Sequence, residues 1–175
     1  MRQYILTVFV LGVLLSGVSC GWLSSDLTKK IGDIEISFPK DLTVLDVPST
    51  TGLYDNVKFL DPKDPAGASI ELNVPNADIP DAESMGEIPP DALDVVTEQV
   101  KLGARTGTRT SYRIARSIES GIEESYRVVM ERYETEYENA PLHIIQTIPE
   151  GSDELSDAWT TIKNSLIAQY GESEL

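Results

Sequence analysis

The chain has one cysteine, Cys20, and it stands where an apolar leader meets everything that follows. A single thiol forms no internal disulfide and no cysteine-ligated zinc site, so whatever folds beyond it must be held by packing alone. Residues 20 to 175 are enough for one domain, which at this size buries roughly 68 to 70% of the surface its unfolded chain exposes.

Met1 and Arg2 give a positive start, Tyr4 to Val18 carries no charge, and the small residues Gly17 and Ser19 lead into Cys20. This is a signal-peptide layout. The 15 residues from Tyr4 to Val18 would reach only about 22 Å as a helix, short of a ~30 Å hydrocarbon core, which argues against a permanent transmembrane anchor. The cysteine at the cleavage point resembles a bacterial lipobox, with Gly17 where that pattern usually has Leu. The resemblance implies cleavage after Ser19 and acylation of Cys20, of the palmitate type, anchoring a periplasm-facing lipoprotein at about 0.8 kcal/mol per buried CH₂. Secretion with an incidental Cys20 is the alternative. Gly21 in place of Asp is similar to outer-membrane sorting signals and implies the outer rather than the inner membrane. The organisation expected is a signal peptide over 1–19, a lipidated tether over 20–30, a single domain over 31–171 and a tail over 172–175.

The 14 Lys plus Arg face 29 Asp plus Glu, a net of −15, which disfavours nucleic acid and anionic lipid surfaces as partners. The distribution is uneven. Residues 101 to 132 hold seven basic groups (Lys101, Arg105, Arg109, Arg113, Arg116, Arg127 and Arg132) against four acids. Either neighbouring carboxylates balance these cations across strands, or they form a basic patch for an acidic partner.

Hydrophobic periodicity organises the rest. Ile34, Ile36 and Phe38 alternate with polar residues as in a half-buried strand that Pro39 ends, and a short strand runs from Leu42 to Val47. Val57 and Phe59 mark a third strand over 55–61, joined through a Pro- and Asp-rich turn to a fourth in which Ala68, Ile70, Leu72 and Val74 share a face. Pro75 to Pro90 has no period and reads as an acidic surface loop. Asp91 is placed to cap a helix whose apolar positions are Leu93, Val96 and Val100, ending at Gly103. Two strands follow, with Tyr112, Ile114 and Ile118 on one parity of the first and Tyr126, Val128 and Met130 on one parity of the second. Their loop must hold an odd number of residues, centred near Gly121 or Ile122, for both sets to meet. A strand over Leu142–Ile148 and a helix with the stripe Leu155, Trp159, Ile162 and Leu166 close the chain.

The order of four strands, a helix, three strands and a helix is that of an antiparallel β-sheet covered by two helices. The stretch Ile36-Ser37-Phe38-Pro39-Lys40-Asp41, the helix near Leu93 to Leu102, the run Gln146-Thr147-Ile148-Pro149 and the closing Trp159-x-x-Ile162-x-x-Ser165-Leu166 together resemble the PsbP-like fold, and within it bacterial lipoproteins of the DcrB type. The resemblance covers about residues 31 to 170. It implies an α+β fold, an α-β-α sandwich used as an accessory or binding module.

Residues with catalytic chemistry are sparse. His143 is the only histidine, it lies in an expected strand, and no G-x-S-x-G elbow accompanies it, so a structural or surface role is expected. Glu131, Glu134, Glu136 and Glu138 alternate around Tyr133 and Tyr137; paired carboxylates can hydrolyse glycosides, but a solvated strand face accounts for them. Asp61, Asp64 and Glu71 approximate a calcium loop that fails at Lys63 and Pro65. No phosphate-binding glycine loop is present, and no cofactor or enzymatic activity is expected. Arg109 and Arg113 take the parity opposite to Tyr112, Ile114 and Ile118, and Arg127 does the same on the next strand, so these three guanidiniums are the expected partner-binding group. The function expected is a lipid-anchored envelope accessory protein that binds or helps assemble another protein. The alternative is a periplasmic carrier of a small apolar ligand, which would require an internal cavity of roughly 300 to 1,000 Å³; an enzyme would require a cleft with convergent titratable groups.

Overall fold

Alternation of apolar and polar residues builds most of the described chain into antiparallel strands. The computed structural model describes residues 26–48, 52–63, 67–76, 88–117, 123–137, 140–153 and 155–170. In chain order these form β1 (Asp26–Ile31), β2 (Ile34–Pro39), β3 (Thr43–Val47), β4 (Tyr54–Leu60), β5 (Ser69–Pro75), β6 (Leu93–Leu102), β7 (Arg105–Ser117), β8 (Glu123–Tyr133), β9 (Leu142–Pro149) and α1 (Ser156–Tyr170). Strands β3 to β9 make one sheet in the order β3-β4-β5-β9-β8-β7-β6, and β1 and β2 form a separate hairpin.

The α-β-α sandwich with two helices is therefore corrected. Only one helix occurs among the described residues, and the segment read as the first helix is the edge strand β6. Ala92 N–H bonds the carbonyl of Pro89 in a turn instead of opening a helix. The misleading spacing has a physical origin. The register of β6 on β7 shifts between Leu93, opposite Arg113, and Val96, opposite Ser111, which is a β-bulge. A bulge places residues three apart on the same face, so Leu93, Val96 and Val100 mimic a helical repeat within a strand. β1 likewise begins inside the stretch read as tether; it is exposed along most of its length and only Ile31 is buried, so it carries no apolar alternation to reveal it.

The helix α1 and the β1–β2 hairpin cover one face of the large sheet. Ala158, Ile162 and Leu166 of α1 join Ile36 and Phe38 of β2 and Val57, Phe59, Ile70, Leu72, Leu142 and Ile144 of the sheet in a single apolar cluster. Trp159 is only partly buried against this cluster, so Ile162 and Leu166, at 0% exposure, are the main anchors, each worth about 1.5 to 3 kcal/mol of burial. The Ser165 hydroxyl accepts from Ser37 N–H at 2.9 Å and donates to the Glu35 carbonyl at 3.3 Å. One side chain thus satisfies a donor and an acceptor on the outer edge of β2, where an unpaired row would otherwise be open.

The β7–β8 hairpin pairs Ser117 with Glu123 and Tyr112 with Val128, so the number of residues between them is odd, as parity required, but the register centres one position before the expected Gly121. Tyr112, Tyr126, Val128 and Met130 are buried on the face opposite the helix. On the helix face Gly107 lies opposite Tyr133. A Cβ there would overlap the Arg132 carbonyl oxygen and sit 2.5 Å from Tyr133 Cδ1. Both neighbours are fixed, one in the ladder and the other as a fully buried ring, so Gly107→Ala should cost about 1 to 3 kcal/mol by overpacking. Chemical denaturation checks this; a variant as stable as the parent would show that the ring does not lie over Gly107.

Candidate protein-interaction surface

Across the helix face one row of the sheet changes character from one side to the other. It reads Val57, Leu72, Ile144, Glu131, Arg109 and Glu98 on β4, β5, β9, β8, β7 and β6. Its first half is core; its second half is a chain of charges. Glu131 is buried at 1% exposure and accepts from Arg109 Nε at 2.7 Å, from the Tyr133 hydroxyl at 2.5 Å and from Lys163 Nζ of α1 at 3.3 Å. Arg109 also reaches Glu98 at 3.0 Å. Burial works to lower the basicity of Arg109, but hydrogen bonds and charge from Glu131 and Glu98 outweigh it and the net shift is upward. Burial, followed by the hydrogen bond to Glu131, raises the Tyr133 phenol well above its ordinary value.

The second row beyond it on the same face, toward the open end, carries Ile148, Arg127, Arg113 and Leu93. Arg113 and Arg127 are direct cross-strand partners, a like-charge pairing that is unfavourable unless neutralised. Neutralisation comes to Arg113 alone. The bulge at β6 puts Asp94 at φ 53, a left-handed conformation that Asp tolerates better than most residues, and its carboxylate pairs with Arg113. Glu150 pairs with the same guanidinium at 3.2 Å. Both carboxylates raise the basicity of Arg113, Asp94 foremost. Arg127 is exposed and makes no ion pair among the described residues. The two arginines face an open cleft of about 430 Å³ completed by Pro149, Glu150, Gly151, Ser152 and Asp153.

The three sequence-selected arginines therefore share one face, as parity required, but they are not equivalent. Arg109 holds a buried acid, Arg113 is engaged on both sides, and Arg127 alone offers an unengaged guanidinium. A feature that periodicity concealed lies beside them. β6 is the last strand of the sheet, and its Leu93, Val95 and Val96 are exposed at 58, 46 and 58%. The signal for it was present in the β-branched run Val95-Val96-Thr97.

Elsewhere, Cys20, Asp64 and Glu138 lie outside the described residues. Among the described residues no group of three or more metal-ligating side chains occurs and no helix is long and apolar enough to cross a membrane. Glu131 departs from the solvated acidic face expected of it. Glu134 and Glu136 are exposed, accepting from Thr106 and Arg105. His143 is buried at 1% exposure with the Tyr54 ring edge-on, centroids 6.0 Å apart. Compared with family models, curated proteins and solved structures, the chain matches none.

Proposed function

We propose that this chain is a lipid-anchored envelope accessory protein, tethered through Cys20, that binds an extended segment of another protein along the outer edge of β6. The observation that carries this reading is the edge of a ten-residue strand that no other described strand pairs, with three exposed large apolar side chains. An end strand presents unpaired N–H and C=O groups, and a partner strand added there gains main-chain hydrogen bonds while alternate side chains set specificity. Leu93 and Val96 would meet apolar residues of the partner. Arg127, in the same row as Leu93 and two strands in from it, would meet an acidic one through a charge-assisted contact. The filled apolar cluster, with most of its members at or near 0% exposure, supports a binder over a carrier of an apolar ligand.

Native edges resist indiscriminate pairing with bulges and charges, and β6 has both in the Asp94 bulge, Glu98 and Lys101. The site is selective rather than sticky. Replacing Val95 and Val96 by Lys should leave stability within about 0.5 kcal/mol, as for most exposed positions. Recovery of the cognate partner by crosslinking from membranes should fall at least about tenfold, a loss of ~1.4 kcal/mol. Arg127→Ser should produce a smaller drop that grows at low salt. Undiminished recovery by the double Lys variant would overturn the β6 reading. Cys20→Ser tests the anchor separately: the protein should leave the membrane fraction, and retention there would remove the lipoprotein reading without touching the β6 surface.

A further inference from the structure

On the face opposite the helix a second row crosses the sheet, made of Asn56, Asn73, His143 and Arg132 on β4, β5, β9 and β8. Paired residues of adjacent strands stand about 5 Å apart, so these four polar side chains are contiguous. Asn73 and His143 are each 1% exposed, yet Asn73 Nδ2 and Oδ1, His143 Nδ1 and Asn56 Oδ1 have no hydrogen-bond partner among the described residues. Buried polar atoms of native proteins are nearly always satisfied, and each one left over costs free energy. Four in one row, on three adjacent strands, form a connected set with both donor and acceptor capacity.

The charge beside them has a sign. Arg132 is half-buried and makes no ion pair among the described residues. Its field reaches both neighbours, lowering the basicity of His143 after burial has done so, and opposing the burial-driven rise of the Tyr54 phenol. A cation is therefore a poor occupant and an anion a good one. The row meets solvent at its β4 end, where Tyr54 and Asn56 line an open cleft of about 450 Å³ with Lys30, Gly32, Val47 and Gly52. Asp46 and Asp55 also line that cleft, and Asp46 is engaged by Lys29 at 2.7 Å.

We propose that this row is a receptor for a small carboxylate that also carries a hydroxyl or amine donor. The carboxylate is held by Arg132 and by the Nδ1–H tautomer of neutral His143, and the donor is held by the side-chain oxygens of Asn73 and Asn56. Asn73 Nδ2 completes the set as a second donor to the carboxylate. The site is independent of the β6 edge, which lies at the far side of the sheet.

His143 is the only histidine, so its ring protons give a single NMR probe inside the row. Glycolate and glycine, titrated into the full chain, should shift this signal saturably with Kd on the order of 1 to 10 mM. Acetamide, or NaCl at equal ionic strength, should not. Arg132→Gln should weaken glycolate binding at least about tenfold, while Lys101→Gln, a change at an exposed residue, should leave it unchanged. A response to acetamide equal to that of glycolate would overturn the carboxylate assignment. A linear response shared with NaCl, or none, would overturn the site itself, and the wild-type titration decides this whether or not the Arg132 variant folds.

Discussion

Replacing Glu131 by Ala should destabilise the fold by about 3 to 5 kcal/mol, the cost of breaking a buried ion pair from one side. The loss is not that of one contact. Arg109, Lys163 and the Tyr133 hydroxyl all converge on this carboxylate, and without it two cations and a buried hydroxyl are left facing one another. The same carboxylate ties α1 to β8 through Lys163, so the helix should loosen along with the sheet. Tyr133→Phe removes only the hydroxyl and should cost about 0.5 to 1.5 kcal/mol. Denaturant midpoints for the two variants check the ranking. A Glu131→Ala midpoint as high as that of Tyr133→Phe would show that Glu131 is hydrated rather than a buried hub.

That hub also changes how the arginines can be tested. Substituting Arg109, Arg113 and Arg127 together would confound binding with folding, because Arg109 contacts the 1%-exposed Glu131 at 2.6 Å. Arg127, exposed and unengaged among the described residues, can be changed without that cost. Parity along β7 and β8 was sufficient to put all three guanidiniums on one face. It could not say which of them would meet a carboxylate, since Asp94, Glu98 and Glu150 come from β6 and from the turn after β9, and their approach depends on the strand order.

Where the sequence misled, one residue is responsible. The bulge at Asp94 shifts the phase of β6, and a strand with one phase shift presents the i, i+3, i+7 spacing of a helix over so short a run. With β6 read as a helix, a second covering layer followed, and with it the sandwich. β2, β4, β5, β7 and β8 were legible because apolar residues at alternate positions mark each against a buried face, and β9 because it is a short apolar run buried on both faces. β1 was not, because its side chains through Lys30 are exposed or half-exposed and its pairing with β2 is a matter of backbone. The orphaned row of Asn56, Asn73 and His143 was equally hidden, since three polar residues from three strands become neighbours only through register.

The same row makes stability depend on pH. Burial first, and the charge of Arg132 second, lower the His143 pKa from 6.5 to about 4. In the unfolded chain the imidazole takes up its proton near pH 6.5; in the fold it stays neutral until about pH 4. The unfolded state therefore binds more protons across this window, and stability falls with falling pH. The contribution is fully present above pH 6.5 and is lost by about pH 4, some 3 kcal/mol in all. His143→Gln removes the titrating group while keeping a polar side chain of similar reach. Its stability should decline less between pH 6.5 and 4.5 than that of the parent, while both share the carboxylate titrations that set in lower. Parallel curves over that window would mean that His143 accepts its proton as readily in the sheet as in the unfolded chain.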